Sequence, residues 1–316
     1  MGDSLVKCRF LILSDTHGED LSSQFDFNDS SIDVLIHCGD LTTESKLNEF
    51  KKTLKMLDNI KASLKLVIPG NHDFTLDKAS YTALLDHEYL EKDLVEETYG
   101  KYGRVGEIFT DYQHIHLLDE GTHTFGLPNG ANFKVFASPF TPSESNMGFH
   151  YFPKGNHTWE LEDPDVVITH GPPEGIFDRT ISRTRAGCPQ LFAAIARQRP
   201  RLHCFGHIHE GWGAKLVTWR ENVSAEPSHF TDVDNEKSTA IATLTSLNQA
   251  LSENQEEGEE NSKQPKFKRL QGGGVTVDDC CIKKGVNTLF VNASIQAVDG
   301  SPTQLPWIVD INLPQA

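Results

Sequence analysis

Five times along this chain an apolar run ends in side chains able to hold a metal ion, and that recurrence constrains the fold more than any other feature. The first case is Leu11-Ile12-Leu13-Ser14-Asp15-Thr16-His17. Gly39-Asp40, Gly70-Asn71-His72-Asp73, Thr169-His170-Gly171 and Gly206-His207-Ile208-His209 follow, four of the five after a strong run and one after a weaker run. A short apolar run closed by turn-forming residues reads as a strand buried on both faces. Polar ligands at the ends of neighbouring strands collect in the crevice at the edge of an open sheet.

The segments between these runs point to an α/β core. Val6–Leu13, Ile32–Cys38 and Leu64–Pro69 read as strands, and the spacing of Leu47, Phe50, Leu54, Leu57 and Ile60 predicts an amphipathic helix between the second and third. A strand–helix–strand order of this kind favours parallel pairing. Lys78–Leu90 reads as a further helix, and the charged stretch to Gly106 as an excursion. Ile115–Leu118, Phe133–Ala137, Asp165–Thr169, Leu202–Phe205, Ala214–Trp219, Thr288–Ala293 and Trp307–Ile311 read as strands, with a helix over Pro189–Arg197. Ser138–Pro142 opens a long loop.

Composition shifts near Ser224. The acidic tract Leu251–Asn261 and the triplet Gly272-Gly273-Gly274 carry too little apolar surface to fold alone. Because strands resume afterwards, residues 1–316 are expected to form a single domain, with 224–274 as an insert carrying an acidic flexible segment. A protein partner bound through that insert is a second use for it.

With 45 acidic against 29 basic side chains and a formal charge of -16, attraction to extended nucleic acid or to an anionic membrane is not expected. Neither a leader pattern after Met1 nor an apolar segment of membrane-spanning length is present, and the cysteines make no CxxC pair. These features predict a cytoplasmic protein with reduced thiols, Cys8, Cys38 and Cys204 serving as small buried apolar residues. The sequon Asn292-Ala293-Ser294 has meaning for glycosylation only in a secreted chain.

Any one of the five clusters alone reads as an ordinary turn; together they read as a metal cluster. Asp15 and His17 can converge on one ion if the backbone turns after the strand. Asp40, with two oxygens, is the natural bridge. Asn71, His170 and His207 supply an amide oxygen and two imidazoles, and His209 can return to the first ion. Such a mixed nitrogen and oxygen set suits Mn²⁺, Fe²⁺ or Zn²⁺ better than Mg²⁺. His72 is placed either to donate a proton to a leaving alkoxide or to stabilise phosphate, with Asp73 orienting it or another histidine.

Asp15-Thr16-His17, Gly39-Asp40, Gly70-Asn71-His72-Asp73, Thr169-His170 and Gly206-His207-Ile208-His209 together resemble the calcineurin-like metallophosphoesterase superfamily. The resemblance implies a four-layer α/β fold, two packed mixed β-sheets flanked by helices, with a dinuclear centre above them. It implies one ion on Asp15, His17, Asp40 and His209, a second on Asp40, Asn71, His170 and His207, and His72 near the scissile phosphate. Phe74–Asp77, Gly171-Pro172-Pro173, Arg185-Ala186-Gly187-Cys188, Glu210-Gly211 and Asn292-Ala293-Ser294 are similar to the metallophosphoesterase-domain-containing branch, that of the brain-expressed 239 protein. Some relatives there carry glycine at the position of His207, which weakens catalysis; here the histidine is present.

The implied activity is a dinuclear-metal-dependent phosphodiesterase using a metal-bridging hydroxide, with Mn²⁺ the favoured ion and Fe or Zn as alternatives. A small phosphorylated substrate is expected, including 2′,3′- or 3′,5′-cyclic nucleotides. The alternatives are a phosphomonoesterase and a metal-bound scaffold or nucleotide sensor with little turnover. Asn71 and His72 are expected to touch the substrate. Arg179, Arg183 and Arg185 offer planar donors to phosphate, or serve as ordinary loop cations. Phe140, Phe149, Tyr151 and Trp212 either stack on a base or fill the loop core.

Overall fold

Burial of the central strands on both faces decides the architecture. The computed structural model describes residues 4–25, 31–86, 91–145, 147–153, 157–249, 268–269, 275–277 and 282–316. Within them, in chain order, the strands are β1 (Leu5–Leu13), β2 (Ile32–His37), β3 (Ala62–Val67), β4 (Ile115–Leu117), β5 (Gly121–Gly126), β6 (Asn132–Ser138), β7 (Thr141–Pro142) and β8 (His150–Tyr151). They continue with β9 (Val166–Thr169), β10 (Leu202–Phe205), β11 (Gly213–Thr218), β12 (Thr239–Thr243), β13 (Lys268–Arg269), β14 (Val275–Val277), β15 (Asn287–Asn292) and β16 (Trp307–Pro314). The helices are α1 (Leu47–Asn59), α2 (Lys78–Leu85), α3 (Lys92–Tyr99), α4 (Arg104–Thr110) and α5 (Pro189–Gln198).

Two seven-stranded sheets result, ordered β13-β14-β16-β1-β2-β3-β4 and β12-β11-β15-β10-β9-β6-β5. Both are mixed. In the first, β1 to β4 are parallel and β16 is antiparallel to β1. In the second, β6, β9, β10 and β15 are parallel, flanked by antiparallel β5 and β11. Parallel strands bring their C-terminal ends to one edge, so Asp15, Asp40 and Asn71 leave the first sheet together, as His170 and His207 leave the second.

Alternation along β9, β10 and β15 explains the layers, because successive side chains point to opposite faces. Val166, Ile168, Leu202, Cys204, Leu289 and Val291 join the core cluster shared with β1, β2 and β3. Val167, Phe205 and Phe290 face the other way, into a second cluster with Leu191, Phe192 and Ile195 of α5. Helix α1 buries Phe50, Thr53, Leu54, Met56 and Leu57 on one stripe. At its start, Glu49 accepts from the N–H groups of Thr43, Glu44 and Lys46, stiffening the loop after Asp40. Among the described residues, no helix is long and apolar enough to cross a membrane.

Three readings change. The helix over Lys78–Leu90 stops at Leu85, and residues 87–90 lie outside the described residues. The excursion to Gly106 holds α3 and the start of α4, joined through Gly100 and Gly103 at φ 75° and 91°. Strand β5 was not expected; it pairs in full register with β6 although Thr122, His123 and Thr124 are polar. The acidic tract 251–261 and Gly272–Gly274 also lie outside the described residues, as do Cys280 and Cys281, while Cys8, Cys38, Cys188 and Cys204 are buried free thiols. Strand β12, inside the stretch read as an insert, forms the edge of the second sheet.

Candidate metal centre

The loops after β1, β2, β3, β9 and β10 meet in one place. In each of three groups the ligand atoms lie within 4.8 Å of one another: Asp15, His17 and His209; His17, Asp40 and His72; and Asp40, His170 and His207. His17 and Asp40 each belong to two of them. Asn71 joins the third through its Oδ1, 2.9 Å from His170 Nε2. The structure thus brings together all seven residues read as ligands, and adds His72 at their border, its ring 4.8 Å from that of His17.

Backbone geometry aims these side chains. Asp15, His17, Asp40 and His207 all adopt positive φ, 54°, 47°, 54° and 66°. The turns are pinned between the loops, Asp15 N–H donating to Gly39 C=O (2.9 Å) and His17 N–H to Asp40 C=O (3.1 Å). Gly206 is required by contact: a Cβ there would lie 2.0 Å from Asp15 Oδ2 and 2.1 Å from Ser14 Oγ.

Each acidic or basic group has fixed partners. Asp40 Oδ1 accepts from His72 N–H (2.8 Å), and its Oδ2 is 3.3 Å from His170 Nε2. His170 Nδ1 lies 2.9 Å from Cys38 C=O; a proton on Nδ1 leaves Nε2 as the inward-facing nitrogen. Both Asp15 oxygens accept from His207 N–H at 3.1 Å, and Oδ1 is 3.4 Å from His209 Nε2.

Burial and charge oppose each other across this cluster. Burial alone would raise the Asp15 and Asp40 carboxyls, but the hydrogen bond from His209 and the charge of His170 hold each well below the usual carboxylate range. His170, lowered by burial but raised more by Asp40, reaches about 9. Burial pushes His207 down to about 4 and lowers His17, both toward the neutral form a metal ligand takes. His209, lowered by burial, is raised more by its bond to Asp15, so that His170 and His209 would release protons on binding an ion.

The cluster fits a cation. Both ring nitrogens of His17 are buried without a hydrogen-bond partner. A neutral imidazole carries one N–H and one lone pair, and a cation would meet the buried lone pair, which is otherwise costly. Two buried carboxylates, a buried amide oxygen and imidazoles form the mixed donor set of a divalent transition ion.

The remaining site expectations divide. Asp73 does not hydrogen-bond His72; it is fully buried and accepts from the N–H groups of Leu41, Thr42 and Gly70 and from Thr42 Oγ1. It clamps the loop carrying Asp40 to the loop carrying Asn71, and burial with the neighbouring Asp40 raises it to about 7. His72 Nδ1 instead sits 2.7 Å from Thr43 C=O. Arg185 is paired with Asp178 at 2.7 Å. Arg179 and Arg183 are exposed on a hairpin whose Ile181 N–H donates to Glu210, the residue after His209. Trp212 is core, stacked on Trp307 at 4.7 Å. Phe140 and Phe149 pack edge to face.

Side chains beyond the five clusters also reach the site. Ser294 Oγ donates to Asp15 Oδ2 (2.8 Å), and Asn292, given no site role by the sequence, is fully buried and donates to Ile208 C=O. The signal was present: Thr288–Ser294 is a sixth apolar run ending in polar residues, but amide and hydroxyl groups are weaker ligands than carboxylate and imidazole.

Residues 8–211 match the family described as Calcineurin-like phosphoesterase. Probable rhamnogalacturonate lyase C of Emericella nidulans is 33% identical over 221 residues, covering 69% of this chain and 18% of that protein. Metallophosphoesterase domain-containing protein 1 of Homo sapiens is 34% identical over 213 residues, covering 65% of this chain and 61% of that protein. Among solved structures, the purple acid phosphatase PPD1 of yellow lupin (Lupinus luteus) superposes with a TM-score of 0.38 at 11% identity, over 69% of this chain and 40% of that chain.

Proposed function

We propose, from the premise that this chain belongs to the calcineurin-like phosphoesterase family, that it is a dinuclear-metal-dependent phosphodiesterase acting on small phosphodiesters, cyclic nucleotides among them. One observation carries the reading: the three ligand groups form a chain linked by His17 and Asp40, and of these two only Asp40, a carboxylate with two oxygens, could serve two ions at once. The similarity to the human metallophosphoesterase domain-containing protein supports placement in that branch, at 34% identity. With only 18% of the fungal lyase aligned, lyase chemistry is not carried over.

Asp15, His17, Asp40 and His209 would hold one ion, and Asp40, Asn71, His170 and His207 the other. Two divalent ions held there would lower the pKa of water and neutralise charge on phosphoryl oxygens. Mn²⁺ is the favoured ion, with Fe or Zn as alternatives. The protein's own part is orientation. His72, with Nδ1 at Thr43 C=O, keeps its other nitrogen for the phosphate or the leaving oxygen. Asp73 holds the two loops in register. Arg179 and Arg183, on the hairpin fastened to Glu210, are proposed phosphate contacts, whereas Arg185 is committed to Asp178.

The test is turnover by Mn²⁺-loaded protein on bis-p-nitrophenyl phosphate, p-nitrophenyl phosphate and cyclic nucleotides. Asp40→Asn and His209→Ala should each lower it by at least about 100-fold, since even outer partners of a metal ligand are worth 10–100-fold. Full activity in both variants overturns the ligand assignment. Faster turnover of the monoester makes the protein a phosphomonoesterase. Ion uptake without turnover of any substrate makes it a scaffold or sensor.

A further inference from the structure

Every candidate ligand precedes residue 211, where the family match ends, yet the ion side built on Asp15 is braced by residues 292–304. The turn after β15 is bonded to both sheets. Ala293 N–H donates to Phe205 C=O (2.8 Å) at the end of β10, and Ile295 N–H to Ser14 C=O (2.9 Å) at the end of β1. From that turn Ser294 Oγ donates to Asp15 Oδ2 (2.8 Å), while Asn292 Nδ2 donates to Ile208 C=O (2.9 Å). Gln304 Nε2 reaches the next carbonyl, His209 C=O, at 3.0 Å. Ser294, Asn292 and Gln304 are all buried.

The consequence is directional. A carboxylate can rotate about its last bond, and either oxygen can then face an ion. His207 N–H is shared by both oxygens at 3.1 Å, so it does not choose between them; Ser294 adds its bond to Oδ2 alone and turns Oδ1 toward His209 Nε2 at 3.4 Å. Asn292 and Gln304 fix the two successive carbonyls that set the path of the His207–His209 loop. The other side of the centre has a brace of its own, Cys38 C=O beside His170 Nδ1, while His72 N–H holds Asp40, the carboxylate assigned to both ions. Resting on the dinuclear reading above, we infer that Ser294, supported by Gln304 at the carbonyl of His209, is a positioning residue for the ion on Asp15, His17 and His209 more than for its neighbour, whose ligand His207 meets this brace only through its N–H on Asp15.

Apo protein titrated with Mn²⁺, read by calorimetry and by the paramagnetic resonance of free Mn²⁺, tests this without any substrate. Wild-type protein should take up two ions. Ser294→Ala should weaken one of them by about 10–100-fold and leave the other within about threefold, the size expected for losing an outer partner of a ligand. Ser294→Thr, which keeps the hydroxyl, should restore most of the loss. If Ser294→Ala does not fold, Gln304→Ala should show the same selective weakening. Two ions at wild-type affinity in both alanine variants overturn the inference and leave the dinuclear reading standing. So does an equal loss at both ions, which marks a merely structural hydroxyl. Fewer than two ions in wild-type protein overturns the dinuclear reading and the inference with it.

Discussion

Asp15, His17, Asp40 and His207 occupy the left-handed region, which non-glycine residues rarely visit. Strain of this kind persists only where the surroundings enforce it, and here hydrogen bonds between the β1 and β2 loops do so. Such crowding makes the chain's glycines unequal. At Gly206 a Cβ would meet Asp15 Oδ2 at 2.0 Å, whereas at Gly106, within α4, nothing lies within 4 Å. Gly206→Ala is therefore expected to displace Asp15, costing about 1–3 kcal/mol by overpacking and abolishing uptake of one ion. Gly106→Ala should instead stabilise by about 0.5–1 kcal/mol, because alanine orders more readily in a helix. Urea unfolding of both variants, with ion titration of the first, checks the pair. The chemistry at these positions is legible in the sequence, since carboxylate and imidazole groups after apolar runs announce themselves. The backbone twist that aims them is not, because it comes from loops of other strands.

At the scale of elements, strands buried on both faces were readable because their apolar runs are unbroken. Strand β5, with Thr122, His123 and Thr124 on a sheet edge, was missed because it is covered by less protein and carries no such run. Helices α3 and α4 were missed because eight and seven residues barely complete two turns, leaving buried Val95, Val105, Ile108 and Phe109 as scattered apolar positions. Cross-strand chemistry was equally hidden. Asp310 on β16 stands directly opposite Arg9 on β1, which grips it through Nε at 2.7 Å and Nη2 at 2.9 Å, with Lys7 Nζ at 2.8 Å. Burial would raise this carboxyl, but the bonds to Arg9 and Lys7 hold it below its ordinary value of 3.8. A depressed carboxyl contributes stability that is present above the unfolded value and is lost as pH falls through the folded one. Asp310→Asn should thus cost about 1–3 kcal/mol at pH 7, the range for a charge-assisted bond. The gap between wild type and variant should close as pH drops below about 4, and urea unfolding across that range shows whether it does.

For the whole molecule, the division of labour between strands matters most. All seven candidate ligands follow β1, β2, β3, β9 or β10, each of which has a neighbour on both sides. Strands β12 and β13, on either side of residues 250–267, form the outer edges of the two sheets. Edge strands hold a sheet by one ladder only, and the centre lies at the ends of strands that do not depend on them. The acidic composition between β12 and β13 is then expected to be dispensable for the centre. Replacing residues 250–267 by a glycine and serine stretch of equal length should leave unfolding free energy within roughly 0.5 kcal/mol, as for substitutions outside a packed core. Ion uptake and phosphodiester turnover should be unchanged. Calorimetric melting and Mn²⁺ titration of the exchanged protein decide the matter: a loss of ion affinity would tie the acidic residues to the centre, and a large fall in stability would make them part of the fold.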